Sequence, residues 1–99
     1  MKAKLICYTL GTINHNTRSR FKREFFGYLD KSNSGSYKYP RKGLLSTIPH
    51  CKPVRSAIIV EKQNVMKVTQ LLKKFNAKIK TYDIMISSKE LRIPQLVTH

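Results

Sequence analysis

Acidic residues are scarce in this chain of 99 residues, which has five Asp and Glu against 20 Lys and Arg. The five acids are spread along the chain, and no two stand two to four residues apart: Glu24, Asp30, Glu61, Asp83 and Glu90. Metal-dependent nucleases need neighbouring carboxylates to hold hard cations. The sequence therefore offers no local carboxylate pair, and a nuclease would need the fold or a dimer to bring Asp30 or Asp83 to a second acid.

Long apolar runs are absent as well. No stretch approaches the roughly 18 residues that a transmembrane helix requires. The apolar residues 5–10 are too few for a signal peptide, and no small-residue cleavage site follows them. Neither an amphipathic membrane helix nor a lipidation motif is present. We therefore expect a cytoplasmic protein that does not bind membranes.

The residues that usually carry catalysis or metals are few and scattered. Cys7 and Cys51 show no CxxC spacing, which excludes a disulfide scaffold and a zinc site. His15, His50 and His99 lie far apart, and His50 cannot pair with the adjacent Cys51, since neighbours in an extended chain point opposite ways. No GxxxxGK[ST] or GxGxxG loop occurs. We expect no enzymatic activity, no metal and no cofactor.

Positive charge dominates what the chain does contain. Its net charge is +15 and its isoelectric point is near 10.2. Such an imbalance makes the compact state repel itself, and a polyanion would offset the repulsion. Residues 15–55 hold ten Lys or Arg and two acids, a net charge of +8, whereas residues 56–99 hold eight and three, a net charge of +5. The charge pattern favours a nucleic acid as partner.

The first half of the chain predicts a strand and a helix. Residues 4–10 are rich in branched and aromatic side chains on both faces, as is typical of a strand in the middle of a sheet. A helix is expected next, capped by one of three residues, Asn14, Asn16 or Thr17, with Phe21, Phe25 and Tyr28 or Leu29 on its apolar stripe. Gly27 is expected to end this helix, and residues 30–36 to form a flexible turn or loop.

The second half predicts a strand, a helix and a strand. Residues 37–48 fit either an edge strand or an ordered loop, because a proline and a glycine interrupt them. Residues 54–61 form the clearest strand, and a helix capped by Asn64 ends at Asn76 before a last strand over residues 78–86. The order is β–α–β–β–α–β, which predicts a ferredoxin-like α+β fold with two helices on one face of a four-stranded antiparallel sheet. Residues 1–88 form this single basic domain, and residues 89–99 form a carboxyl-terminal tail.

The candidate nucleic-acid-binding residues come from the first helix and from the basic segment that follows it. Bases stack on tyrosine rings and guanidinium planes at about 1–3 kcal/mol per base, and Lys and Arg contact phosphates. Tyrosines packed against the sheet edge and arginines on a merely solvated helix face are the structural alternatives. The candidates are Arg18, Arg20, Lys22, Arg23, Tyr37, Lys38, Tyr39, Arg41, Lys42, His50, Lys52 and Arg55.

Three classes of protein share features with this sequence. The RNA recognition motif has the same strand order, but its aromatic-rich third strand is here VRSAIIVE, without an aromatic residue. The CRISPR-associated nucleases of ferredoxin-like fold are similar in length and in a tyrosine-bearing first strand, but this chain has Thr9 and Gly11 where they place an aspartate. In composition and inferred topology the chain resembles small basic archaeal ribosomal and ribonucleoprotein subunits, with no specific motif.

These observations together predict a non-catalytic RNA-binding protein. Structured RNA such as ribosomal RNA suits a small, acid-poor and highly basic chain. DNA remains an alternative, because phosphate contacts carry no information on the type of nucleic acid. Neighbouring ribonucleoprotein proteins, or a second copy joined through a strand edge, are further candidate partners.

Overall fold

The computed structural model describes residues 1–32 and 37–93. The described chain is a mixed α+β structure with three short 3-10 segments, at Leu44–Thr47, Lys62–Asn64 and Ser88–Glu90. No helix within these residues is long and apolar enough to cross a membrane. The strands and α-helices follow in the order β1 Lys2–Thr9, α1 His15–Phe26, β2 Tyr28–Ser32, β3 Tyr37–Arg41, β4 His50–Cys51, β5 Ala57–Glu61, α2 Val65–Lys74 and β6 Lys78–Met85.

Four of the strands form one antiparallel sheet in the order β4-β5-β1-β6. The predicted central position of the first strand is confirmed, since β1 pairs with β5 on one side and with β6 on the other. Ile6 stands opposite Ile58 and Thr81 in these two pairings. Ile6 and Tyr8 are buried on the core face, whereas Leu5 and Cys7 on the other face are only partly buried, so burial of both faces does not account for the apolar run in β1.

The hydrophobic core lies between one face of this sheet and the two helices. Ile6 and Tyr8 of β1 alternate with outward-facing neighbours, and both pack in a cluster with Phe21 and Phe25 of α1. The ring centroids of Tyr8 and Phe25 lie 5.7 Å apart in an edge-to-face arrangement, a geometry that adds to the burial energy. The rest of the buried cluster is Leu45, Ile48, Ile58, Val60, Val68, Leu72 and Phe75.

The opposite face of the sheet points away from both helices. By strand alternation and register it carries Leu5 and Cys7 of β1, Ile59 of β5 and Tyr82 of β6. Tyr82 is 50% exposed, and β5 contributes no aromatic ring to this face. This face therefore lacks the row of stacking rings on neighbouring strands that RNA recognition motifs use.

The predicted caps of α1 are confirmed, but Tyr28 and Leu29 do not continue its apolar stripe, because they lie beyond Gly27 in β2 and are exposed. The Asn14 side chain accepts a hydrogen bond of 2.7 Å from the Thr17 backbone N–H, which selects Asn14 among the three candidate caps. The helix ends before Gly27, whose φ of 83° is in the region that favours glycine. In the second helix, Asn64 lies at the first cap position without a side-chain cap bond, and Asn76 has the predicted left-handed backbone at φ 59°.

The segment between α1 and β5 differs from the prediction. Residues 30–36 were expected to form a loop, but Tyr28–Ser32 is a strand, and it pairs with Tyr37–Arg41 in a separate two-stranded hairpin. Residues 33–36 lie outside the described residues. The strand that adds to the edge of the main sheet is His50–Cys51, which pairs with β5. Pro40 is compatible with the hairpin, since proline is tolerated in a strand that is paired on one side only.

The carboxyl-terminal segment extends this edge of the sheet. The Arg92 backbone N–H donates to the His50 carbonyl and the His50 N–H donates to the Arg92 carbonyl, each at 2.9 Å. The predicted tail of residues 89–99 therefore begins as an ordered segment beside β4. Residues 94–99 lie outside the described part of the chain.

Candidate nucleic-acid interface

The four predicted cations of α1 do not form one surface. Arg18 and Lys22 are four residues apart and lie on the same side of the helix, where both line a cavity. The Arg20 guanidinium lies 5.4 Å from the Phe75 ring centroid, beside α2. The Arg23 guanidinium lies 4.9 Å from the Tyr28 ring centroid, at the base of the hairpin. Because side chains project in all directions from a helix axis, the four cations of α1 lie at three separate places on the surface.

The cavity beside Arg18 and Lys22 brings together predicted residues that are far apart in the chain. Lys52 and Arg55, from the loop between β4 and β5, line its other side. Its volume is about 360 Å³, and no acid is among the described residues that line it. We call this cavity the basic cleft and define its rim as Arg18, Lys22, Lys52 and Arg55.

Aromatic rings from the core lie beneath these cations. Tyr8 and Phe21 are buried residues that also line the basic cleft, and Phe26 lies beside them. The Lys52 ammonium is 4.4 Å from the Phe26 ring centroid, a cation–π contact that holds this long side chain against the wall of the cleft. The wall is thus rigid and apolar, while the rim is charged.

A tight turn places Arg55 at the rim. The Ala57 N–H donates to the Val54 carbonyl at 3.3 Å, which closes a four-residue turn with Arg55 and Ser56 at its centre. Ser56 has a left-handed φ of 64°, and its carbonyl accepts a 3.0 Å hydrogen bond from the Tyr8 N–H of β1. The turn is therefore anchored to the central strand, and Arg55 projects from its exposed side.

Most of the acids are held by cations elsewhere in the molecule. Glu24 accepts from Lys74 at 2.6 Å and lies 3.6 Å from the Arg20 Nε, which links α1 to α2. Asp83 lies 2.6 Å from the Lys4 Nζ. The hydrogen bond from Lys4 and its positive charge lower the pKa of Asp83 below the usual value for a carboxyl group. The rim of the basic cleft, by contrast, has four cations and no acid among the described residues that line the cavity.

The hairpin carries a second basic surface. Lys31 stands directly opposite Lys38, and both side chains are exposed. On the other side of the ribbon, the Arg41 Nε and Nη2 each lie 3.2 Å from the Asp30 carboxylate. Like charges placed opposite each other in a strand pair destabilise it. The Lys31–Lys38 pair therefore costs the hairpin stability unless an anion lies over it.

The remaining predicted residues lie apart from the basic cleft. Lys42 lines a different cavity, between α1 and α2, together with Lys67, Lys74 and Glu24. His50 is half-buried, and its Nδ1 lies 2.8 Å from the Ile48 carbonyl, so it belongs to the sheet edge. Tyr39 is about half exposed on the hairpin.

Tyr37 belongs to β3 by its backbone, and its side chain lies outside the described residues. Of the twelve candidates, the structure brings four together in the basic cleft and four in the hairpin strands. The hairpin group is Tyr37, Lys38, Tyr39 and Arg41. The segment predicted as one binding surface is thus divided between two.

Sequence reasoning missed the wall of the basic cleft. Tyr8 and Phe21 read as core residues in the sequence, which they are, but they also face the cavity. Ser56 carries no local pattern that indicates a left-handed turn. The Gly11 carbonyl, which accepts from the Arg18 Nη2 at 3.4 Å, is a further unpredicted contact. One sequence signal was present: Phe26 directly follows the apolar stripe of the helix, which places an aromatic ring near the helix cations.

No group of three or more His, Cys, Asp or Glu side chains that could hold a metal ion occurs within residues 1–32 and 37–93. Cys7 and Cys51 are both free thiols. Comparisons with models of protein families, with curated proteins and with solved structures found no match to this chain. The geometry described above therefore carries the functional argument alone.

Proposed function

We propose that this protein binds RNA without catalysing a reaction, as a structural component of a ribonucleoprotein particle such as the ribosome. The basic cleft is the observation that carries the proposal. Two segments that are separate in the chain, the start of α1 and the loop before β5, place two arginines and two lysines around one cavity. Phosphate groups are the natural partners of such a rim, since Arg and Lys supply charge-assisted hydrogen bonds to them.

The energetic cost of this arrangement supports an anionic partner. Arg18 and Lys22 stand four residues apart on one helix, where like charges are unfavourable by about 0.2–0.5 kcal/mol. Lys31 and Lys38 repeat the pattern across the hairpin. Two unfavourable pairs on a chain of net charge +15 are most simply explained by a polyanion that lies over both.

The two surfaces suit different parts of one RNA molecule. The hairpin is a two-stranded ribbon with Lys31 and Lys38 on one face, an extended shape that can follow a sugar–phosphate backbone. Tyr39 offers an aromatic ring on the same ribbon. The basic cleft is a smaller site along one side of α1. DNA would meet the same phosphate contacts, so the choice between RNA and DNA is an outcome of the test.

We also propose that the architecture is a ferredoxin-like βαββαβ fold with one insertion. In this assignment β4 takes the place of the second strand, and the β2–β3 hairpin is inserted between α1 and β4. The antiparallel order β4-β5-β1-β6, with a helix after β1 and another after β5, supports it. Many unrelated functions share this fold, so the functional proposal rests on the site.

The test compares two charge reversals of equal size. Lys22→Glu with Lys52→Glu changes the basic cleft, and Lys67→Glu with Lys73→Glu changes exposed positions of α2 by the same net charge. We expect the first variant to lose affinity for a single-stranded RNA and to lower the slope of log Kd against log salt by about 1–2, because each lost phosphate contact removes about 0.7–0.9 from it. The second variant should stay close to the wild type in both quantities.

The same titrations with a DNA strand of the same sequence decide the type of nucleic acid. Tighter binding of RNA supports the proposal, and tighter binding of DNA would replace RNA as the partner. Equal losses in the two variants would indicate a diffuse electrostatic surface and would rule out the basic cleft as the binding site. Circular dichroism of both variants controls for folding.

A further inference from the structure

The basic cleft is a half-open surface cavity of limited volume. At about 360 Å³ it lies near the lower end of the roughly 300–1,000 Å³ typical of ligand sites. Such a volume accommodates one phosphate with part of its nucleotide. The size of the cavity therefore suits one phosphate group, and the charge of the rim discriminates between an internal and a terminal one.

The charge of the rim favours a terminal phosphate over an internal one. An internal phosphodiester carries one negative charge, whereas a phosphomonoester carries about −1.5 to −2 at neutral pH. The Coulomb energy grows with the product of the charges. Four cations around one cavity, with no acid among the described lining residues, are more than one phosphodiester requires. They match a terminal phosphate.

The types of donor fit a phosphomonoester as well. Arg18 and Arg55 each present a planar fork of N–H groups, which binds phosphate oxygens in pairs. Lys22 and Lys52 add compact ammonium donors. A terminal phosphate offers three unbridged oxygens, one more than an internal phosphodiester, so it can satisfy more of these donors at once.

The apolar wall strengthens this selectivity. Tyr8 and Phe21 are almost fully buried, and the Phe26 ring is covered by the Lys52 ammonium. The rings keep water from one side of the cleft, and the attraction between a dianion and the rim is stronger where water is kept away. The exposed hairpin has no such wall, and its Arg41 is already paired with Asp30.

We propose that the basic cleft binds a phosphomonoester at the end of an RNA strand, while the hairpin contacts the backbone behind it. This inference rests on the proposed RNA binding and makes it more specific. It assigns Arg18 and Arg55 to the phosphate oxygens, with Lys22 and Lys52 as the neighbouring cations. The protein would then recognise processed or cleaved RNA ends and not only internal structure.

The experiment measures the Kd of the full chain for one short single-stranded RNA in three forms, with a 5′-phosphate, with a 3′-phosphate and with hydroxyl groups at both ends. We expect one phosphorylated form to bind at least about tenfold more tightly than the hydroxyl form, a difference of about 1.4 kcal/mol. Inorganic phosphate should compete with that form more strongly than with the hydroxyl form.

Two single variants assign the preference to the cleft. Arg55→Ala, at an exposed turn position, should weaken the binding of the phosphorylated form more than that of the hydroxyl form, so that the preference for the phosphorylated end is lost. Lys80→Ala, on the exposed edge strand β6, is the matched control and should keep the preference. Circular dichroism of both variants verifies that they fold.

The outcomes separate this inference from the proposed function. Equal Kd values for all three RNA forms would overturn the end-binding inference and leave RNA binding intact. A preference that survives in Arg55→Ala would place the phosphate site elsewhere and would also overturn it. The absence of binding to every RNA form would refute the proposed function itself.

Discussion

Gly43 and Gly27 touch through their backbones, and a β-carbon on Gly43 would overlap the Gly27 backbone nitrogen. Gly27 ends α1, and Gly43 follows the last strand of the hairpin. The two ends of the hairpin therefore join the rest of the domain at this contact. The Ser46 hydroxyl accepts a 3.0 Å hydrogen bond from the Gly43 N–H, which links the Gly27–Gly43 contact to the 3-10 segment Leu44–Thr47. The hairpin's position relative to α1 therefore depends on two residues without side chains.

This contact predicts unequal effects of two glycine substitutions. Gly27 has φ 83° and ψ 178°, a region that is essentially restricted to glycine, and an added β-carbon would lie 2.8 Å from the Gly43 nitrogen. We expect Gly27→Ala to lower the free energy of unfolding by about 3 kcal/mol or more. Gly11→Ala is the control, because Gly11 also has a positive φ but has open space around it. It should cost only about 1–2 kcal/mol.

Denaturant unfolding of the two variants and the wild type measures both values. A Gly11→Ala variant as unstable as Gly27→Ala would show that the positive φ alone, and not the contact between Gly27 and Gly43, accounts for the lost stability. Gly43 has an extended backbone with φ −98°, so Gly43→Ala would test the clash without a change in backbone preference.

The Lys31–Lys38 pair predicts that one substitution will stabilise the hairpin and weaken RNA binding. Lys38→Glu replaces a repulsion across the hairpin with an attraction, and we expect the hairpin to gain about 0.2–1 kcal/mol. Under the proposed function the same change should weaken RNA binding, because it places an acid on the contact surface. Amide hydrogen exchange of β2 and β3 measures the first effect, and titration with RNA measures the second.

Lys38→Gln is the matched control, since it removes the repulsion without adding an acid. It should give a smaller gain in protection and a smaller loss of affinity than Lys38→Glu. Unchanged RNA affinity in both variants would exclude the hairpin from the binding surface.

The burial of Tyr8 predicts a loss of stability at alkaline pH. Burial raises the pKa of the Tyr8 hydroxyl above its ordinary value of about 10. The folded chain therefore keeps the proton at a pH where the unfolded chain releases it. The stabilisation is fully present below pH about 10 and is lost as the pH rises toward the folded-state pKa.

Unfolding measured between neutral pH and pH about 11 tests this expectation. Tyr8→Phe should flatten the alkaline decline, because phenylalanine has no proton to release. Tyr82→Phe is the comparison, since the Tyr82 ring is half exposed, and it should keep the wild-type decline. A Tyr8→Phe variant with the full wild-type decline would assign the alkaline loss to other groups.

Much of the local structure followed from the sequence. The alternating and near-continuous apolar runs predicted β1, β5 and β6 to within a few residues, and the Phe21–Phe25 spacing with Asn14 and Gly27 predicted α1. These features are decided over a few neighbouring residues, by side-chain periodicity and by which residues can cap a helix. The net charge and the scarcity of acids likewise required no fold to be recognised.

Only the tertiary structure decided which cations meet. Arg18 and Arg55 are separated by most of α1, the hairpin and β4, and they share a cavity because the turn at Ser56 is anchored to β1 beside the start of the helix. No periodicity encodes that distance, since it depends on how distant segments pack. The hairpin was missed for a related reason: its strands pair only with each other, and β4 is two residues long, too short for a pattern. Composition therefore determined that the chain is strongly basic, and packing determined where that charge converges.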